Sequence, residues 1–514
     1  MATSDPTASG LSLKRLALIV VTALVSLVLA QSLFNSLTEP QVASQLQLYQ
    51  TDLLLESSAW DGAGLPPDQW PLLRQGLLGE DPIATAQKQY ESVREEATTL
   101  AQAAPPLPAN LGESANDGKP LPRRQQTALA QQQTLISELD LRLGLMDAAQ
   151  DNLPAALDRW KQVQTSDTAP ANRVRTADTL TRLWQAETAL PEDEAWLRQS
   201  LNGWFETRAL EQLYRVENRE GDRQQLLDQE QTTAQDQLVK LALVGTLPVL
   251  GTILGVGILL GLSIQWFLKG DRSLLRRPAS PEWSIPWDGE TIWQVLIVGF
   301  FFVGQILLPL ILGGLGLSGA ALSSRGRALF SLTYYLLMAA GGLGVLWLSV
   351  RPYRPLPAGL FRIRFSLSGI LWGMGGYLVA LPLMLMVALL NQQIWQGQGG
   401  SNPLLQTVLE EQDPVALIVF FATAAIAAPL FEETLFRGFL LPSLTKYMTV
   451  SWAVGLSGLI FAAAHLSLSE VLPLTLLGCI LGGVYSRSRN LLSPMVLHSL
   501  WNSATMLGLF ILGG

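Results

Sequence analysis

Apolar and polar positions are distributed unevenly along the 514 residues. Crossing about 30 Å of hydrocarbon takes roughly 18 or more consecutive apolar residues. Runs of that length lie near 241–268, 291–316, 327–350 and 366–391, and again near 415–443, 470–486 and 492–512. Between these last groups, the stretch from Trp452 to His465 is apolar but short. Counting it, the C-terminal half carries eight membrane helices, and Leu16–Phe34 is a candidate ninth. Residues 35–238 are instead rich in Gln, Ala, Leu and Glu and read as helical without being membrane-embedded. The expected fold class is all-α: a polytopic membrane helix bundle of about eight core transmembrane helices, an N-terminal anchor or signal segment, and an α-helical extramembrane domain. The predicted divisions are 1–34, 35–238, 239–414 and 415–512.

Charge orients this pattern. Lys14 and Arg15 precede an apolar run that passes Val28-Leu29-Ala30 and continues to Phe34. A small-residue end of this kind suits a cleavable signal, whereas the continuation favours an uncleaved anchor. Either reading places 35–238 across the membrane from the cytoplasm. With the N-terminus inside, the loops bearing Lys269, Arg272, Arg276 and Arg277, then Arg351, Arg354, Arg362 and Arg364, then Arg487 and Arg489, all fall on the cytoplasmic side, as the positive-inside bias requires. The loop 392–414 has no Lys or Arg and falls outside, while Arg325 and Arg327 run against the trend.

Composition agrees: 49% of residues are apolar, 15% are charged, and mean hydropathy is +0.27. The expected location is an integral, multi-pass position in the plasma membrane or the thylakoid membrane. The net charge of −8 lies largely in the extramembrane region and leaves no basic footprint, so no nucleic-acid partner is expected. The single cysteine, Cys479, cannot form an intramolecular disulfide, and the redox compartment is therefore not readable from cysteine usage.

Within 35–238, the run from Ala104-Pro105-Pro106-Leu107-Pro108 to Pro120-Leu121-Pro122 cannot continue a helix and reads as a loop or linker. Beyond it, Thr127–Gln150, a turn at Asp151-Asn152-Leu153-Pro154 and Ala155–Val163 resemble one helix-turn-helix of a tetratricopeptide repeat. Ala148, Ala155, Ala156, Leu157 and Trp160 stand at the small and aromatic packing positions. About three such units are needed for a continuous core. Pairs at 171–201 and 203–239 could supply the others without clearly repeating the pattern. A repeat-like or an irregular helical domain both remain open, and both suit a protein partner rather than chemistry.

The candidate chemistry lies in the last hundred residues, as Glu432-Glu433-x-x-x-Arg437, Phe461-x-x-x-His465 and His498-x-x-x-Asn502. Ionisable groups inside a bilayer are costly and are functional suspects by default. Glu433 and Arg437, at i and i+4, share a helix face and can pair, whereas Glu432 points about 100° away. One carboxylate is thus neutralised and its neighbour is left free to act as a general base for water. The alternative is a helix end snorkelling at the membrane surface. Phe431, Leu435, Phe436 and Phe439-Leu440-Leu441 weigh against it, because they continue the apolar pattern on both sides. Phe461 can steady the His465 ring by packing, and Asn502 can steady His498 by a polar contact. A lone membrane histidine reads as an interhelical hydrogen bond. Two of them, following a Glu-Glu pair on separate helices, read as a reaction centre. Gly478-x-x-x-Gly482, Gly257-x-x-x-Gly261 and Gly369-x-x-x-Gly373 permit close helix approach, or serve general packing.

This ordered set of three motifs resembles the CPBP family (Abi, or CAAX protease and bacteriocin-processing) of intramembrane proteases, which includes the type II CAAX prenyl endopeptidases. The resemblance covers 415–512, and Gly478-x-x-x-Gly482-x-x-Tyr485 is also similar to the family pattern. It implies an eight-helix core, with Glu432 activating water assisted by His465. It implies that His498 and Asn502 stabilise the oxyanion, a task for donors preorganised around developing charge. Glu433, Arg437 and Phe461 would then orient the site, Glu433 with a secondary part in the chemistry. Zinc held by Glu432, His465 and His498 is the alternative, since one Glu and two His leave an open position for water. The absence of a His-Glu-x-x-His helix and the suitability of Asn502 as an oxyanion donor favour chemistry without metal or other cofactor. The implied activity is that of an endopeptidase on membrane-protein or lipidated peptide substrates, CAAX-type among them, although no residue here reads a prenyl group and family does not transfer substrate. The rival reading is a non-catalytic membrane scaffold or regulator that uses the same residues to bind a partner. A transporter is disfavoured because polar groups outside this cluster are sparse in the predicted helices.

One expectation conflicts with the rest. If a spanning helix enters at Ser451, His465 lies towards the face opposite Glu432 and His498. The three then meet only if that helix is tilted, re-entrant or starts later.

Overall fold

A computed structural model describes residues 12–37, 41–66, 68–103, 123–275, 283–319, 322–395, 398–409 and 411–513. The proline-rich segment 104–122 and the basic residues Arg276 and Arg277 lie outside the described residues. Among the described residues there is no strand, and the chain forms two units, Ala43–Thr246 and Met1–Val42 with Leu247–Gly514.

Helix α1 (Leu13–Ser36) belongs to the second of these. The unit Ala43–Thr246 holds α2 (Val42–Ser58), α3 (Trp70–Leu78), α4 (Pro82–Ala103), α5 (Arg123–Ala149) and α6 (Leu153–Gln164). It continues with α7 (Ala171–Thr181), α8 (Asp193–Ser200), α9 (Gly203–Val216) and the first half of α10 (Glu220–Arg272). The turn between α5 and α6 is made by Asp151 in the left-handed region, φ 59°, with Pro154 in the first turn of α6, where the missing proline N–H costs nothing. Trp160 of α6 packs closely on α5 because residue 144 is glycine, whose absent Cβ would collide with the indole. The indole N–H donates to the Leu141 carbonyl at 3.2 Å. Leu143 and Met146 of α5, Trp160, Leu180, and Phe205 and Leu210 of α9 join one continuous buried core with Tyr90 of α4 and Leu55 of α2.

The membrane unit continues through the second half of α10, then α11 (Gly289–Gly314), α12 (Ser324–Tyr353), α13 (Leu367–Trp395) and the short α14 (Pro403–Leu409). It ends with α15 (Pro414–Leu444), α16 (Val450–Ala463), α17 (Leu468–Ser488) and α18 (Leu492–Gly513). Among the described residues, eight helices are long and apolar enough to cross a membrane: α1, α10, α11, α12, α13, α15, α17 and α18. The protein is a multi-pass, all-α membrane bundle. Helix α1 is part of it, since Trp293 of α11 donates to Thr22 at 2.8 Å and Lys14 and Arg15 pair with Glu290.

Glycines set the closest crossings. A Cβ at Gly478 would lie 2.6 Å from the Gly458 Cα, so α16 and α17 touch backbone to backbone. Gly373 lies against the Ser493 carbonyl of α18 in the same way. Gly257 and Gly261 do not act so, because nothing stands within 4 Å of where their side chains would be. Helix α10 instead meets α13 at the preceding Gly251 and Gly255, against Leu381 and Pro382.

The short α16 sets where His465 lies along the chain. Its 14 residues rise about 21 Å, too little to span. The helix starts at Val450 and stops at Ala463, and the chain reverses at Leu466, which adopts φ 60°. His465 therefore sits at a break, just past the end of α16. The break is held by the Ser467 hydroxyl, which donates to the Gly399 and Gly400 carbonyls at 3.2 and 3.1 Å, and by the Leu468 N–H, which donates to Ser36 at 3.2 Å.

Candidate active site

Helix α15 carries both glutamates between two stretches of π-helix, Thr423–Ala427 and Thr434–Leu440. A π turn shifts the hydrogen-bond register and leaves carbonyls for other donors, and such turns collect at functional sites. Here the Ala424 carbonyl accepts from the Asn502 amide at 2.7 Å and the Ala425 carbonyl from the Ser499 hydroxyl at 2.6 Å, both on α18. The loosened first stretch thus docks α18, and with it His498, against the glutamates.

Glu433 is fully buried and central. Its Oε1 accepts from Arg437, also fully buried, at 2.8 Å and from His498 Nδ1 at 2.8 Å. Arg437 donates in addition to the Gly478 carbonyl at 3.1 Å, which is within reach because the α16–α17 crossing brings that backbone inward. Its guanidinium lies 4.6 Å above the Phe461 ring. A buried carboxylate persists only when paired and hydrogen-bonded, and Arg437 meets that need.

A carboxylate accepts only, so the His498 proton toward Glu433 resides on Nδ1. The other ring nitrogen, Nε2, stands 3.9 Å from Glu432 Oε2. Glu432, with a side chain 14% exposed, uses its other oxygen, Oε1, to accept from the Tyr335 hydroxyl of α12 at 2.9 Å. The gap of 3.9 Å exceeds a hydrogen bond and suits a bridging water.

Phe461 stands between the two imidazoles, its ring centre 4.9 Å from that of His465 and 5.9 Å from that of His498, edge-on to both. His465 Nδ1 is bonded to the Phe461 carbonyl at 2.9 Å, and its ring packs on Phe461. The contact expected between Asn502 and His498 is replaced: Asn502 turns to Ala424, and Glu433 holds His498 instead. Among the described residues, the imidazole within 4 Å of Glu432 is that of His498 rather than His465. The structure therefore gathers Glu432, Glu433, Arg437, Phe461 and His498 directly, His465 through Phe461, and Asn502 one turn beyond His498. Tyr335 was not anticipated. Its one signal is a Tyr334-Tyr335 pair in an apolar run, which looks no different from ordinary tyrosines at membrane interfaces.

Among the described residues, no three His, Cys, Asp or Glu side chains are grouped so as to hold a metal ion. His498 Nδ1 is taken by Glu433 and His465 Nδ1 by the Phe461 carbonyl, so a metal held by Glu432, His465 and His498 would be met at the Nε2 of each ring.

Comparison with known proteins bears on this same region. Residues 414–504 match the family model for type II CAAX prenyl endopeptidase Rce1-like proteins. A Bacillus subtilis (strain 168) protein named "Putative membrane peptidase YdiL" is 25% identical over 134 residues, which cover 26% of this chain and 54% of that protein. An Escherichia coli protein named "Uncharacterized 24.3 kDa protein" is 35% identical over 114 residues, 21% of this chain and 51% of that protein. The chain thus spans about half the length of the curated relatives it matches. No solved structure matches. The segment that carries both glutamates, both histidines and Asn502 is thus the part of the chain that is similar to the Rce1-like type II CAAX prenyl endopeptidases, over residues 414–504.

Proposed function

We propose that the protein is an intramembrane endopeptidase that hydrolyses peptide bonds of membrane-associated proteins with a water activated by Glu432. The observation carrying this is the placement of Glu432 Oε2 opposite His498 Nε2, 3.9 Å apart, with Glu433 and Arg437 fixing the imidazole from behind. A water bridging that gap gives one proton to Glu432 Oε2, and its oxygen attacks the scissile carbonyl carbon. The resulting oxyanion is received by the Asn502 N–H not given to Ala424, beside the His498 ring that Glu433 holds in place. Collapse breaks the C–N bond, and the proton held by Glu432 passes to the leaving amine. His465, oriented through Nδ1, assists as a second proton acceptor at the edge of the site. The chemistry is metal-independent in this reading. Substrates are membrane proteins or lipidated peptides, with CAAX-type termini the first class to try, in the plasma or thylakoid membrane. The unit Ala43–Thr246 serves as a docking domain for a protein partner.

The test is cleavage of a membrane-protein pool by purified, reconstituted protein, comparing wild type with Glu432→Ala and with a zinc chelator in parallel. Fragments lost in the variant and retained with chelator are expected. Loss in both would point to a metalloenzyme. Fragments that persist in a well-folded Glu432→Ala protein would sink the proposal in favour of a non-catalytic scaffold.

A further inference from the structure

Helix α12 lies outside the segment 414–504 that matches the protease family, yet it contributes a side chain to the reacting carboxylate. The Tyr335 hydroxyl donates to Glu432 Oε1 at 2.9 Å. Its ring is held edge-on to Phe431, centres 6.1 Å apart, and Phe431 in turn stacks on Phe300 of α11 at 6.0 Å. The preceding residue works differently: the Tyr334 hydroxyl donates to the Gly304 carbonyl of α11 at 2.5 Å. Successive residues on a helix point about 100° apart. One tyrosine therefore braces α12 on α11 while the next reaches the glutamate.

We propose that Tyr335 is a positioning residue for Glu432, fixing its carboxylate plane so that one oxygen faces His498. The terminal torsion of a glutamate is broad and nearly two-fold, so packing alone does not fix its carboxylate plane. A phenol bonded to Oε1 does fix it and turns Oε2 toward His498 Nε2. Without that bond the base stays in the site but samples orientations in which neither oxygen faces the water position. The inference rests on the endopeptidase reading above, and it makes the family segment alone an incomplete site.

The test uses the full reconstituted chain and the most rapidly cleaved member of the membrane-protein pool, with Tyr335→Phe, Tyr334→Phe and Glu432→Ala compared with wild type. Tyr335→Phe keeps the ring and its packing on Phe431. Its kcat is expected to fall about 10- to 100-fold, the scale of a misaligned catalytic group, with KM within about two-fold, since only transition-state geometry is lost. Tyr334→Phe, which loses only the brace, is expected to lower the thermal midpoint and leave kcat near wild type. A wild-type kcat in Tyr335→Phe while Glu432→Ala is inactive would overturn this inference and leave the endopeptidase reading intact. An equal loss of kcat in both tyrosine variants would assign the effect to bracing of α12 and overturn it as well. Glu432-independent cleavage, or no cleavage by wild type, would overturn the reading on which it rests.

Discussion

Arg437 shows what a fully buried charge does in this site. It donates to Glu433 and to the Gly478 carbonyl and covers the face of Phe461, so one planar fork touches α15, α17 and α16 together. Removing one partner from a buried ion pair leaves the other uncompensated, at a cost of about 3–5 kcal/mol. Arg437→Ala is expected to lower the thermal midpoint of the purified protein sharply. Arg437→Lys should recover little, since an ammonium cannot reproduce the fork or lie flat on the ring. A Lys variant as stable as wild type would show that charge alone suffices here. That Glu433 and Arg437 would pair was legible from their spacing, because four residues on a helix is a local distance. That Glu433 would also hold His498, 65 positions away, was not, because it depends on how α18 lies against α15.

At the scale of elements, helix contacts narrower than a side chain govern the site. Gly478 and Gly458 touch through their backbones, with 2.6 Å left for a Cβ, and neither backbone can move without shifting Phe461 or the acceptor of Arg437. Gly478→Ala is expected to destabilise by about 1–3 kcal/mol, as overpacking does. Gly257→Ala, on a face with no neighbour within 4 Å, should be neutral or slightly stabilising. Both are read by thermal unfolding in one detergent, and equal midpoints for the two variants would contradict the crossing. The same Gly-x-x-x-Gly spacing is thus used at one place and unused at another. Sequence cannot separate the two, since spacing identifies a face but not what covers it. The π turns of α15 were equally invisible. No residue type encodes them, and the first is recognisable by the Ser499 and Asn502 side chains that donate to the freed carbonyls.

At the scale of the whole molecule, the unit Ala43–Thr246 carries its own pH response. Burial, and then the charge of Asp52, push the Glu56 carboxyl up to about 7, opposed by Lys240 and a hydrogen bond from Gln237. Burial likewise raises the Asp52 carboxyl, against the pull of Arg142. Because the folded value of Glu56 lies above the ordinary 4.5, folding takes up a proton between the two. The stabilisation is fully present below about pH 4.5 and is lost as pH rises through about 7. Hydrogen-exchange protection of α2 in the full chain, corrected for intrinsic rates, is expected to fall from pH 5 to pH 8. Glu56→Gln should flatten that slope, and an unchanged slope in the variant would place its origin elsewhere.

The sequence by itself determined the class of the fold and pointed to the candidate site residues other than Tyr335. Spanning helices announce themselves through uninterrupted apolar length, and charges in such runs are too costly to be incidental. It also determined the pairs four residues apart, which a single helix brings together. Tertiary structure alone decided that α16 stops short and leaves His465 at a break, that Asn502 turns to a π-turn carbonyl, and that Tyr335 reaches Glu432. The reason is physical: helical periodicity acts over one or two turns, whereas contacts across helices depend on crossing distances set by a few glycines and loosened turns.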